Sequence, residues 1–338
     1  MRLYRCLTYT GAVKLFSRKP AATPEIRAID PAWGDEQART LRAELARGKW
    51  PEAHAALEST KGNWDDRQFL VEVLTNDVPG RPKWLDEWVE AYPQSAVAWT
   101  VRGAHGIKWG WAARGGAKAE TVQDESWQTF WSRLEEAERD LHKAAELEPD
   151  DPVPWSYLVI IARGLERGIP EVGERLKQAH ARRPWHHFAF SQALQGYAKK
   201  WGGSHELMLD LARQAAGAPE GASVHALVAE SHVERWVYIA GWDKDEAGAR
   251  DYWFAPSVAE ELRAAATRSV WSPKYERPRL APYDHNFFTY CFFRVHDWES
   301  ARRELEAMNG ILNPFPWSNV GKPVDLFRVV RERILKGK

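Results

Sequence analysis

Three features of this sequence predict an all-α fold. Apolar residues recur at helical spacing through almost every segment, alternating β-branched runs bounded by turns are nearly absent, and the connections between apolar stripes are short. Short connections favour neighbouring helices packed as antiparallel hairpins.

The elements follow in order. DEQARTLRAELARG (35–48) carries Leu41 and Leu45 four apart and stops at Gly48. Pro51 then opens a helix in WPEAHAALES, where its missing N–H does no harm. DDRQFLVEVL (65–74) comes next, then RPKWLDEWVEAY (81–92) with Trp84, Trp88 and Ala91 on one stripe. Across 125–147, Trp127, Phe130, Trp131, Leu134, Leu141, Ala144 and Ala145 keep a helical spacing with Glu and Arg between them. Further helices are predicted near 154–168, 171–182, 187–200, 205–216, 222–240, 257–269, 285–296, 298–309 and 323–336. WGGSHELMLDLAR (201–213) reads as the hinge of one hairpin. Lys199 and Lys200 suit the end of the preceding helix, Gly202 and Gly203 form the turn, Ser204 caps, and Glu206 falls in the first turn. Only Trp201 and His205 are left there without a structural role.

One spacing recurs. Pro93, Pro149 and Pro184 are each followed six residues later by an aromatic residue, Trp99, Trp155 and Phe190, and Pro149 and Pro184 stand 35 residues apart. That is about the period of a helix–turn–helix repeat. WSYL (155–158), followed by LKQAHARRP (176–184) with Phe190 and Tyr197 in aromatic slots, resembles a tetratricopeptide repeat. HDWESA, within FFTYCFFRVHDWESARRELEAM (287–308), and ARGKWPEAHAAL (46–57) resemble the inter-helix turn of that family. The units are degenerate: Pro93 to Pro149 spans 56 residues, and Val159 fills the glycine slot. The resemblance is clearest over 93–216 and looser over 35–60 and 285–310. The whole chain also resembles uncharacterised actinobacterial proteins with the same KWGGSHE segment, which lend it no activity. The resemblance implies a right-handed α-solenoid, one domain over 34–338, behind an irregular arm at 1–33.

Composition narrows the function classes. Lys plus Arg equals Asp plus Glu at 47 each, so no overall charge draws the chain to nucleic acid or a bilayer. Cys6 and Cys291 are too few for a disulfide framework or a cysteine-based zinc site, and a cytoplasmic setting is expected. No run of about 18 apolar residues exists to span a membrane. The arm MRLYRCLTYTGAVKLFSRKP is a poor signal peptide; its basic, partly apolar make-up suits contact with an anionic membrane, but one weak signal rarely anchors a protein. The 19 tryptophans point to an aromatic core or an aromatic-lined groove.

Several clusters are candidate binding sites. His105, Trp109, Trp111 and Arg114 combine cations with rings in HGIKWGWAARGGAK (105–118), although RGGAK without a preceding strand is no phosphate loop and reads as a helix end. His186 and His187 follow Arg182 and Arg183 at a helix start, where anions are favoured, but Pro184 also marks an ordinary repeat junction. His225 and His232 lie two turns apart on one face as weak metal candidates. Ala229 between them ligates nothing and Glu230 and Glu234 are rotated away, so neither a metal centre nor a cofactor is expected. Trp201, His205, Glu206, Trp236 and Asn286 complete the binding candidates, and Asp284 beside His285 reads as a helix cap. No catalytic residue is assigned. The leading expectation is a scaffold or adaptor that holds a protein or peptide segment in an aromatic concave groove, with self-association as a further option. The alternative is an enzyme or small-molecule binder with a polar pocket on the concave side, built from His105, Trp109, His186, His205, His232 and nearby tryptophan rings, with His186, His205 and His232 converging.

Overall fold

The computed structural model describes residues 26, 28–115 and 123–337, and among these the regular structure is helical without strand. Asp35 caps α1 (Glu36–Leu45) by accepting the Ala38 N–H at 2.8 Å, and Pro51 starts α2 (Pro51–Glu58). Asn63 caps α3 (Trp64–Thr75), and α4 (Trp84–Ala91) buries Trp84, Leu85, Trp88 and Val89 while Ala91 is exposed. Two long helices follow, α5 (Ala96–Arg114) and α6 (Asp124–Leu147), then α7 (Val153–Gly164), α8 (Gly168–Arg182) and α9 (His187–Tyr197). The rest of the chain forms α10 (His205–Gln214), α11 (Leu227–Gly241), α12 (Glu246–Tyr252), α13 (Pro256–Arg268), α14 (Ala281–Arg294), α15 (Trp298–Ala307) and α16 (Pro323–Lys336). The segment 116–122, into which part of the expected RGGAK loop falls, and residues 1–25 and 27 of the expected arm lie outside the described residues.

Among the departures from expectation, α5 fills a stretch where only a helix end near Arg114 is expected, and the helix expected from 222 opens as a 3-10 turn over Ser223–Ala226. The helix expected over 187–200 stops at Tyr197, and Lys199–Trp201 form a separate 3-10 turn. Gly202 there has φ +86°, which favours glycine, and a Cβ on Gly203 would lie 1.9 Å from the Tyr197 carbonyl oxygen, so Gly203 cannot carry a side chain. Ser204 caps α10 as expected, accepting from Leu207 N–H at 3.0 Å. The short α12 was not expected; it buries only Ala249, too little for an apolar stripe, and rests on its Asp245 cap. The helix expected from 285 begins at Ala281, with Pro282 in its first turn. Asp284 is therefore inside α14 and buried, not its cap.

Packing follows chain order. A first apolar cluster takes residues from Ala32 to Ile161, a second from Val159 to Leu227, and a third from Ala226 onward. α5 and α6 pack most extensively against each other because α5 carries glycines on one face. A Cβ on Gly103 would lie 2.7 Å from Leu141, and one on Gly106 would lie 3.0 Å from Ala137. Arg67, fully buried on α3, reaches the turn before α7 and bonds Glu148 and Asp151 (2.6 Å to the latter). The end of the arm joins the extremes of the chain. Ile26 packs in the third cluster, Trp33 in the first, and the Trp33 ring stacks on Tyr283 with centroids 6.4 Å apart. Arg279 pairs with Asp35 at 2.8 Å and lies over the Phe69 ring at 4.3 Å.

Candidate functional site: a charged internal cavity

Because the two ends of the chain meet, residues far apart in sequence wall one cavity of ≈ 400 Å³. α3 contributes Glu72, α7 Arg163, α9 His187, Ser191 and Gln195, and α11 Glu230 and Glu234; Trp33, Tyr283 and the loop 313–319 complete the wall. Phe188, Phe287 and Phe315 add apolar surface.

The charges on this wall differ in how they are paired. Glu72 is fully engaged: it accepts from the Tyr157 hydroxyl at 2.7 Å and pairs with Lys108 at 3.2 Å. Glu234 pairs with Lys200 at 2.6 Å. His187 Nε2 lies 3.1 Å from Asp284 Oδ1. Burial alone would push this imidazole down, but the Asp284 carboxylate overrides it and holds His187 above the ordinary histidine value. Glu230, buried on α11, has no cation bonded to it; Ser191 Oγ donates at 2.9 Å and Gln195 at 3.4 Å. Burial pushes its carboxyl up to about 7 against the pull of His187 and Ser191. Arg163 likewise lacks a bonded carboxylate. It makes two long bonds of 3.4 Å to Gln192, and its Nε is buried without a partner. Burial pulls Arg163 down to about 10, with Glu234 and Glu230 acting the other way.

Arg163 is also a rung of an aromatic ladder. Arg114 lies 4.9 Å from the Trp127 ring and 5.6 Å from Trp111; Arg163 lies 5.9 Å from Trp111 and 5.6 Å from Trp201. Alternating guanidinium planes and indole faces hold the cation at a fixed place on the wall. The ladder's Arg114, Trp127, Arg163 and Trp201 line a neighbouring cavity of ≈ 320 Å³, which shares Arg163 and Lys200 with the central one. A second neighbouring cavity of ≈ 330 Å³ shares His187 and Leu280.

Of the residues singled out in the sequence, His187 alone reaches the central cavity, and Arg114 and Trp201 line its neighbour. Trp111 packs between them, 4.7 Å from Phe130. His105 is buried beside a cleft of only ≈ 10 Å³, where burial lowers its pKa to about 4, and Trp109 there carries Arg133 at 3.5 Å over its face. The expected convergence of His186, His205 and His232 does not occur. His186 is buried 3.9 Å from Asp65, and its pKa is lowered to about 4 by burial. His205 packs edge-on to Tyr238 at 5.1 Å beside exposed Glu206, and His232 meets the Tyr252 hydroxyl at 2.6 Å. These rings sit on different faces because their helices present them in different directions. His225 bonds the Pro219 carbonyl at 3.0 Å, and no group of three metal-ligating residues occurs among the described residues. Trp236 packs on Trp253 and under Arg294. Asn286 is fully buried and ties down the 311–317 loop, donating to the Ile311 carbonyl at 3.0 Å and accepting from Trp317 at 2.8 Å.

The sequence alone does not mark Arg163 or assign Ser191 a role, weighs Glu230 and Glu234 only as metal ligands turned away from His225 and His232, and places Lys200 as a helix-end cation. The available signal was a single charge inside an apolar run: Arg163 in YLVIIARGL and Glu230 in HALVAES. Charges are rarely placed in such runs unless something pairs with them. No helix among the described residues is long and apolar enough to cross a membrane. No protein-family model and no curated protein matches the chain.

Proposed function

We propose that the chain is a small-molecule-binding protein built on a solenoid of tetratricopeptide-like hairpins, with the central cavity as its site. The observation that carries this reading is the cavity itself: ≈ 400 Å³, aromatic in part, with a buried Glu230 and a half-buried Arg163 on its wall. Sites for small ligands fall in a range of about 300–1,000 Å³ and combine apolar walls with a few placed polar groups. The sequential packing of α5 to α9 and the repeat spacing support the solenoid. A cytoplasmic setting fits the one described cysteine, Cys291, which is buried and unpaired.

The adaptor reading keeps one specific support. The central cavity shares lining residues with two neighbouring cavities, and a row of adjacent hollows is what an extended peptide segment would lie across. One experiment separates the two. The full chain and an Asn76→Trp variant, which fills the cavity without touching Arg163 or Glu230, are screened by thermal shift against a metabolite panel and a library of ten-residue peptides. A metabolite that stabilises the native chain and not the variant supports the proposal. Stabilisation by peptides alone, or equal effects on both chains, would overturn it.

A further inference from the structure

Resting on the reading of the cavity as a binding site, we propose that its ligand is a zwitterion, with its carboxylate on Arg163 and its ammonium group on Glu230. The argument begins with how this protein treats buried charge elsewhere. The two arginines most completely closed off from solvent each have carboxylates bonded to them: Arg67 by Glu148 and Asp151, and Arg175 by Glu138 and Glu171. Such pairing is what makes an interior guanidinium tolerable. Arg163 is half-buried and, unlike them, has no carboxylate bonded to it. It faces the cavity with only the Gln192 backbone carbonyl and side-chain oxygen, both at 3.4 Å, and its Nε is buried without a partner. A guanidinium is a planar fork of donors that fits a carboxylate through two parallel bonds.

Glu230 is the complement. It is 3 % exposed, and its only bonded partners are the Ser191 hydroxyl and the Gln195 amide, both of which donate. The remaining carboxylate lone pairs suit a group with several N–H donors and a positive charge. The cations nearest to it are otherwise engaged, Lys200 with Glu234 and His187 with Asp284. An arginine on α7 and a glutamate on α11 thus stand on one cavity wall, bonded neither to each other nor to any third charged group. An anion alone would leave Glu230 unmatched, and an amine alone would leave Arg163 unmatched. A zwitterion matches both, and Phe188, Phe287 and Tyr283 line the space for its apolar part.

Free amino acids and short peptides share this chemistry, and the test distinguishes them. Isothermal titration on the full chain uses phenylalanine and the dipeptide Leu-Phe, each with its C-terminal amide (ammonium only) and its N-acetyl form (carboxylate only). The expected result is that at least one zwitterion binds, and that its amide and N-acetyl forms each bind at least tenfold more weakly. Arg163→Met should then bring the zwitterion down to the affinity of its amide, and Glu230→Gln to that of its N-acetyl form. Phenylalanine binding more tightly than the dipeptide identifies a free amino acid as the ligand; the reverse identifies a short peptide. Equal binding of all three forms, or no binding of any, overturns the zwitterion. The cavity reading fails separately, if no compound in the wider panel discriminates the native chain from Asn76→Trp. Circular dichroism on both site variants confirms that lost binding is not lost fold.

Discussion

Glu230→Gln is the substitution through which the cavity's electrostatics are most directly measured. In the folded protein burial holds the Glu230 carboxyl protonated up to about 7, against 4.5 for an ordinary glutamate. At about 1.4 kcal/mol per pH unit, ionising it in place costs the fold about 3 kcal/mol. The sign follows from where the proton binds more tightly. The folded pKa is raised, so the stability from protonation is fully present below 4.5 and is lost as pH rises through about 7. A glutamine resembles the neutral acid: its carbonyl still accepts from Ser191, and it has no proton to lose in this range. The difference in stability, native minus variant, should therefore fall by about 2–3 kcal/mol between about pH 5 and pH 8.5. Urea unfolding of both chains across that range measures it directly. His187 faces the same carboxylate, so its imidazole is followed by NMR in parallel. A difference that does not change with pH, or one that grows with pH, would refute the burial argument.

Three further outcomes are expected. Arg67→Met leaves Asp151 buried without a cation, while Glu148 keeps Lys61 at 3.1 Å, and should cost about 3–5 kcal/mol in urea unfolding; a loss under about 1 kcal/mol would show that Asp151 finds another partner. Gly203→Ala forces a methyl group onto the Tyr197 carbonyl oxygen and disrupts the bond that Ser204 N–H donates to it at 3.1 Å. A destabilisation of about 3 kcal/mol, the upper end for overpacking, is expected there, while Gly202→Asn, which tolerates a left-handed backbone, should cost much less. Asp284→Asn removes the charge that holds His187 up, so the imidazole pKa should fall below the ordinary histidine value under burial alone; an unchanged NMR titration would assign the support to Glu230 instead.

The helices were legible because their causes are local. Asp35, Ser204 and Asp297 cap where short polar residues precede apolar stripes, and each accepts the N–H three residues on. Spacing alone was misleading where the reason for a residue lies in another helix. Nothing local to Gly103 or Gly106 marks them out, yet they are glycine because α6 approaches too closely for a Cβ. Asp284 next to His285 reads as a cap and is instead the partner of a histidine almost a hundred residues away. The site was least legible of all. Its defining pair, Arg163 and Glu230, sits on helices that meet only through intervening ones, and nothing local to either residue reveals the other. His187 was found because histidine draws attention, and its role depends on an aspartate that local reasoning had assigned elsewhere.

The docking of Ile26 in one end of the molecule and Trp33 in the other bears on how the protein comes apart. A row of stacked hairpins touching only their neighbours frays from its ends, each terminal unit opening at its own low cost. Here the first helix cannot lift without parting Trp33 from Tyr283 and Asp35 from Arg279, which also frees the third cluster's hold on Ile26. Amide hydrogens in α1 and in α14, some 250 positions apart along the chain, should therefore exchange through one shared opening, and the cavity wall that both ends complete should open with them.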